Sequence, residues 1–417
     1  MTEITSGVCA PKGFLAGGIR CGIKPGLNAA NSQKKDLALI YSHKFCSASA
    51  VFTNNKVKAA SVQVSQENIT DGKLRAVIIN SGNANACTGQ EGLKAARRMA
   101  QLVADIFLIS PSEVAVASTG VIGVPLPIDL IEKNIENLKA SLQDNKQGHD
   151  DALEAIMTTD VRKKEIAIEF DIDGKPVRIG AMAKGSGMIH PNMSALKHAT
   201  MLAFITTDAA IIPSALESAL RRAVSRSFNR LTVDGDTSTN DMALVMANGE
   251  AGNAPLTETS SGYSIFCESL EKVCVTLTKM MARDGEGATK LVTVTVEGAI
   301  SEETAETLAK STASSSLVKA ACFGADANWG RVLCAMGYSG AEFNPAAASV
   351  FFRSPAGEIN VCKEGQAVKF CEKKAKEILL QEEIEIFIRL EEGEGKASVW
   401  GCDLTYDYVK INGDYRS

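Results

Sequence analysis

The residues of this chain best placed to do chemistry lie near its middle, in KGSGMIHPNM (Lys184 to Met193) and, after a short polar interval, ATMLAFITTD (Ala199 to Asp208). Small residues around the Gly-Ser-Gly turn let backbone approach backbone closely. MLAFITTD has the length and β-branching of a buried strand. Thr200 is expected at the mouth of that strand, where its hydroxyl could act as a nucleophile or could merely begin the strand.

Other chemistries are less well served. The four His residues, His43, His149, His190 and His198, form no H-E-x-x-H, and the spacing of His190 and His198 is not a usual helical metal-ligand spacing, so no zinc site is expected. TGVIG (Thr119 to Gly123) lacks the Lys of a phosphate loop. DGDTSTND (Asp234 to Asp241) misses the Gly and terminal Glu of a calcium loop and reads as a polar turn or a wall beside the substrate. The 11 Cys residues are scattered, odd in number and without a C-x-x-C pair, as small buried hydrophobes in a reducing compartment would be.

The elements that must position these residues read as alternating strands and helices. LRAVIIN (Leu74 to Asn80) is a short apolar run bounded by Ser-Gly-Asn, as in a strand buried on both faces. From Glu91 to about Phe107 the positions Leu93, Ala96, Met99, Leu102 and Val103 follow helical spacing, opposite Lys94, Arg97 and Arg98. A second amphipathic helix runs through Ile128, Ile131, Ile135, Leu138 and Leu142, with Pro127 at its start. A third runs from Pro213 to Phe228 with Arg221, Arg222 and Arg226 on its polar side. After Lys290, LVTVTVEGA alternates Val and Thr, a capped helix starts near Ser301, and EIEIFIRL alternates acid and apolar residues. A smaller α+β domain is expected there, over residues 291–400.

With 417 residues and 45% hydrophobic content the chain can fill sizeable cores. A net charge of −5, with no Lys/Arg block interleaved with aromatics, argues against a nucleic-acid groove or an anionic membrane surface. Small-molecule partners are expected. The opening MTEITSGVCAPKGFLAGGIRCGIK lacks a signal-peptide pattern, and no apolar run reaches membrane-spanning length, which predicts a cytoplasmic protein.

Over nearly its full length the sequence resembles the ornithine acetyltransferase family, the glutamate N-acetyltransferases that can also be amino-acid N-acetyltransferases. The resemblance rests on AVIINSGNANACTG (Ala76 to Gly89), ASTGVIG (Ala117 to Gly123), MTTD (Met157 to Asp160), AKGSGMIHPNM and ATMLAFITTDA. It continues through NRLTVDGDTSTNDMALVMANG (Asn229 to Gly249), ARDGEGATK (Ala282 to Lys290), FGADANWGR (Phe323 to Arg331) and INGDYRS (Ile411 to Ser417).

The resemblance implies an α/β fold: a layered core of the self-cleaving, N-terminal-nucleophile type, with the smaller α+β domain appended. It implies a cut between Ala199 and Thr200. The Thr200 hydroxyl would attack the Ala199 carbonyl through a five-membered ring, and water would open the resulting ester. The freed α-amine, with an ordinary pKa of about 8, would then act as base for the hydroxyl beside it. Residues 1–199 and 200–290 would build the core from two fragments, assembling as α₂β₂ or larger, with residues 401–417 returning to the active site.

By the same resemblance, Thr119 and Gly120 would form the oxyanion hole. Thr158, Lys184, Thr200, Glu286, Asn412 and Ser417 would bind substrate, with Lys184 facing a carboxylate and Glu286 an amine. The implied reaction moves acetyl from N-acetyl-ornithine to glutamate through acetyl-Thr200. It needs no cofactor or metal, with acetyl-CoA as a further possible donor. One departure stands beside the cleavage site: Ser194, Ala195, Leu196, Lys197 and His198 are inserted where the family pattern joins PNM directly to ATML. Extra chain there can relax the strained geometry that self-cleavage uses. Two other readings use the same residues: an aminopeptidase or amidase in which water takes the acyl group, and an uncleaved binding or assembly protein.

Overall fold

The computed structural model describes residues 1–24, 34–190, 193 and 201–414. Nine strands form the first sheet: β1 (Thr2–Ile4), β2 (Phe14–Ile19), β3 (Leu37–Phe52), β4 (Lys73–Asn83), β5 (Val114–Val121), β6 (Lys164–Ile172), β7 (Lys175–Lys184), β8 (Leu202–Thr207) and β9 (Met242–Ala247). Their order is β1-β6-β7-β8-β9-β3-β4-β5, with β2 also on β3. The helices of this part are α1 (Ala60–Asn68), α2 (Gly89–Phe107), α3 (Ile128–Ala140), α4 (Lys146–Ile156), α5 (Pro213–Ser225) and α6 (Tyr263–Arg283).

β3 turns the sheet. Leu37 to Tyr41 pair with β4, the register shifts before Cys46, and Ser47 to Phe52 pair with β9. The two halves of the sheet therefore face each other. Between them lies one apolar layer that joins Ile40, Ile79 and Ala117 from β3–β5 to Met182, Phe204 and Leu244 from β7–β9. The outer face of one half packs on α5 and α6 through Leu216, Leu220, Phe266 and Leu277, and that of the other on α2 and α3 through Met99 and Ile131. The result is helix, sheet, sheet, helix, the layered α/β arrangement expected from the sequence. Truncating a side chain in the middle layer, such as Phe204 to Ala, would cost about 3–5 kcal/mol.

The sequence periodicities reappear with two shortened ends. The helix read from Pro213 to Phe228 stops at Ser225, because Ser227 leaves helical geometry (φ −130°, ψ −91°) and Phe228 enters a short 3₁₀ turn with its ring buried. The helix expected to reach Leu142 stops at Ala140, since Gln143 exchanges backbone hydrogen bonds with Ala16 of β2.

A six-stranded second sheet follows, β13-β12-β11-β14-β10-β15, from β10 (Leu291–Ala299), β11 (Ser349–Ser354), β12 (Gly357–Lys363), β13 (Gln366–Ala367), β14 (Glu383–Arg389) and β15 (Gly395–Cys402). Helices α7 (Glu302–Ser314), α8 (Ser316–Phe323), α9 (Trp329–Gly337) and α10 (Glu372–Leu379) accompany it, and α11 (Tyr406–Asp414) runs beyond it. Ser301 caps α7 by accepting the Thr304 N–H at 3.1 Å. Among the described residues no helix is long and apolar enough to cross a membrane.

Candidate active site

A cavity of about 240 Å³ opens where the two half-sheets end. Thr119, Gly120, Thr158, Lys184, Glu286 and Asn412, spread across almost 300 residues of sequence, all line it. Ala199, Thr200, the inserted residues 194–198 and Ser417 lie outside the described residues. The chain reaches the site directly after Thr200 in sequence: Leu202, the first residue of β8, pairs with Lys184 at the end of β7, and the Met242 N–H donates to the Met201 carbonyl at 2.9 Å.

Thr119 and Gly120 end β5 in a parallel ladder with β4 whose register breaks at Gly82 and Asn83. Gly120 has φ +135°, and a Cβ there would lie 2.3 Å from the Gly82 carbonyl carbon, so only glycine fits. Asn240, a residue the sequence reading did not single out, fastens this corner. Its amide donates to the Ala84 carbonyl at 2.6 Å and the Ser118 carbonyl at 2.7 Å, fixing the approach to Thr119. Asp234, Asp236, Ser238 and Thr239 also line the cavity, so the stretch read as a polar turn or substrate-side wall forms part of its wall.

Opposite, Lys184 is buried and its Nζ donates to the Thr119 Oγ1 at 3.3 Å. Burial lowers the affinity of Lys184 for its proton. Asp160, Glu286 and Asp241 oppose that effect, while Lys164 adds to it. Asp241 is fully buried with neither carboxylate oxygen hydrogen-bonded, and burial pushes its carboxyl well above the usual carboxylate range, against the pull of Lys184.

Glu286 is held on the far side of the cavity. Its N–H donates to the Ser186 carbonyl at 2.9 Å, and its Oε2 accepts from the Asn412 amide at 2.8 Å. Gly187 leaves room for this carboxylate, since a Cβ there would fall 2.2 Å from the same Oε2 and displace the Glu286 side chain. Tyr408, also unremarked in the sequence, lines the cavity from α11; burial, then Asp234, Asp236 and Glu286, raises its phenol, which keeps the proton and remains a donor. One wall is thus cationic at Lys184 and another anionic at Glu286 and the Asp234–Asp236 turn.

No His or Cys is among the described residues lining the cavity. His190 donates to or accepts from the Thr232 hydroxyl at 2.9 Å, and burial together with Lys310 lowers it to about 4, leaving it neutral. Burial pushes the thiols of Cys9, Cys46 and Cys274 up to about 12. His149, Asp150 and Glu165 cluster elsewhere, but both imidazole nitrogens of His149 are engaged, by the Val8 N–H at 3.3 Å and by Glu165 at 2.7 Å. A nucleophile at this cavity therefore has no imidazole or thiolate within its described walls to draw on.

The model of the ArgJ family matches residues 15–417, nearly the whole chain. The chain belongs to the ArgJ family. It is 51% identical over 417 residues to the arginine biosynthesis bifunctional protein ArgJ of Symbiobacterium thermophilum, covering 100% of both chains. It is 49% identical over 407 residues to the protein of the same name from Caldanaerobacter subterraneus subsp. tengcongensis, covering 98% of each. Among solved structures, the arginine biosynthesis bifunctional protein from Bacillus halodurans is 46% identical with a TM-score of 0.50; the match covers 52% of this chain and 100% of that one. Membership of the ArgJ family makes the chain an enzyme of an arginine-biosynthetic family, in line with the resemblance drawn from its motifs.

Proposed function

We propose that the chain is a glutamate N-acetyltransferase that moves acetyl from N-acetyl-ornithine to glutamate through an acetyl ester on Thr200, after cutting itself between Ala199 and Thr200. The observation that carries the reading is the convergence of Thr119, Gly120, Thr158, Lys184, Glu286 and Asn412 on one amino-acid-sized cavity, next to the strand that Thr200 leads into. A cation for a carboxylate and an anion for an amine match the two ends of ornithine. In the first half-reaction the Thr200 amine takes the hydroxyl proton, Thr200 Oγ1 bonds to the acetyl carbon, and the C–N bond to ornithine breaks as the proton returns to the leaving nitrogen. Glutamate reverses these steps.

The absence of His and Cys from the described cavity walls supports a nucleophile that carries its own amine. The route needs no metal or cofactor, with acetyl-CoA a second donor for the same ester. The fragments stay together as α₂β₂ or larger, in the cytoplasm. Denaturing electrophoresis with intact-mass measurement tests the cut. Fragments of 199 and 218 residues are expected, and one full-length chain that still transfers acetyl would refute self-cleavage as the activating step.

A further inference from the structure

Behind the cavity lies a buried set of charges to which nothing above gives a role. The Lys164 side chain is fully buried and its Nζ donates to Asp160 Oδ1 at 2.6 Å and Asp284 Oδ2 at 2.5 Å. Asp160 is connected beyond what an ion pair requires. Its Oδ1 also accepts the Gly185 N–H at 2.7 Å, its Oδ2 accepts the Thr158 N–H at 2.9 Å, and Oδ2 lies 3.9 Å from Lys184 Nζ. Asp284 Oδ2 accepts the N–H groups of Val161 and Arg162 at 3.2 Å each, and the chain runs from Asp284 through Gly285 into Glu286.

Stability alone is a weak reason for such a network, because the desolvation of buried charges often cancels their attraction. Its placement gives a better one. Three of the segments that line the substrate cavity, at Thr158, at Lys184–Gly185 and at Glu286, are tied to this one set of side chains.

We propose that Asp160 is the positioning residue of the substrate-carboxylate subsite: it fixes Thr158 and Gly185 by their backbone N–H groups and divides its charge between Lys164 and Lys184, with Lys164 governing how much reaches Lys184. The proposal rests on the reading of Lys184 as the partner of the substrate carboxylate. Because Lys164 holds the short contact and Lys184 the long one, the Lys184 ammonium stays available to a ligand instead of being spent on Asp160.

The titratable groups facing Lys184 are Asp160 from the turn after α4, Lys164 from β6, Glu286 from the turn after α6, Asp241 from the residue before β9, and Lys24. Of these, Asp160 is the ionised carboxylate held most firmly. Burial disfavours its charge, but Lys184 and Lys164, with the Lys164 and Gly185 hydrogen bonds, outweigh burial and hold it below the usual range. Removing its charge lets Lys184 lose its proton at lower pH. Removing the charge of Lys164 does the opposite.

The test is kcat and KM for N-acetyl-ornithine from about pH 6 to about pH 10, in the wild type, Asp160→Asn and Lys164→Gln. In Asp160→Asn, KM should rise roughly tenfold at about pH 8, as for a weakened charged contact, with kcat little changed. Its alkaline limb of kcat/KM should move to lower pH, and KM should recover towards wild type in acid. In Lys164→Gln the limb should move to higher pH. A uniform loss of activity with the limb unmoved overturns the proposal. If one variant does not fold, the direction of shift in the other decides; if neither folds, the network is a folding element and the proposal fails. The wild type assayed with N-acetyl-1,4-diaminobutane, which lacks the carboxylate, separates the underlying reading. An unchanged alkaline limb with that donor refutes Lys184 as the carboxylate partner, whatever Asp160 does.

Discussion

Lys184 Nζ stands 3.3 Å from the Thr119 hydroxyl, and so joins the end of β7 to the end of β5 across the gap between the two half-sheets. The contact gives each residue a second role. On the proposed reading, Lys184 would face a substrate carboxylate while orienting the hydroxyl that would stabilise the oxyanion of acyl transfer. Thr119 in turn keeps a buried ammonium hydrogen-bonded when no substrate is present.

Removing that hydroxyl should act on the transition state. Thr119→Val keeps the side-chain shape, and kcat is expected to fall roughly 10²-fold with KM nearly constant, as for loss of one oxyanion donor. Steady-state kinetics with N-acetyl-ornithine measures it, and a rise in KM at constant kcat would assign Thr119 to substrate binding instead.

Lys184→Met should act on binding. Losing a charge-assisted hydrogen bond to a carboxylate costs about 1.5–3 kcal/mol, which is roughly a tenfold to hundredfold rise in KM. The wild type carries a pH signature of the same residue. Burial lowers Lys184 from the ordinary lysine value, so its cationic form is lost as pH rises through a point below that value. The kcat/KM for N-acetyl-ornithine should therefore fall on the alkaline side before a surface lysine would titrate, and in Lys184→Arg this limb should be absent from the measured range.

Glu286→Gln preserves an acceptor for the Asn412 amide and removes the negative charge. KM for N-acetyl-ornithine should rise roughly tenfold, while the second half-reaction, with glutamate as acceptor, should be affected less, because glutamate brings no side-chain amine. Half-reaction rates measured separately on the acetylated enzyme check the asymmetry; equal loss in both would remove the amine-recognition role.

Thr200→Ala should give one uncut chain with no transfer, whereas Thr200→Ser keeps a hydroxyl and should retain part of both steps. Electrophoresis and activity assays on the same preparations read both. Full activity in the Ala variant would rule out Thr200 as the acyl carrier.

Much of the fold was legible because it follows local periodicity. The stripe through Leu93, Ala96, Met99 and Val103 can bury itself only as a helix face, and Leu74 to Asn80 only as a strand covered on both sides. The folding of one sheet onto itself was not legible. It depends on β3 changing partners along its 16 residues, and nothing in LALIYSHKFCSASAVF announces where the change falls. Helix ends were lost to tertiary bonds, as at Gln143, whose backbone is claimed by Ala16.

The site divides in the same way. Thr119, Lys184 and Glu286 stand in motifs that could be named from sequence, although only the fold shows that they share a cavity. Lys164 carries no such signal: within VRKKEIAIEF it looks like one of several solvated basic residues, and its burial between two carboxylates is visible only in three dimensions. Asn240 and Tyr408 were hidden for a related reason, since each acts through a contact with a segment distant in sequence.

The most direct test of the central claim is to incubate the purified enzyme with N-acetyl-ornithine, omit glutamate, quench in acid and measure intact masses. The account predicts that the fragment beginning at Thr200 gains one acetyl group, that the group maps to the Thr200 side chain, and that it disappears on adding glutamate. Turnover of N-acetyl-ornithine to ornithine and N-acetyl-glutamate in the presence of glutamate, with no acetylated fragment formed in its absence, would contradict it.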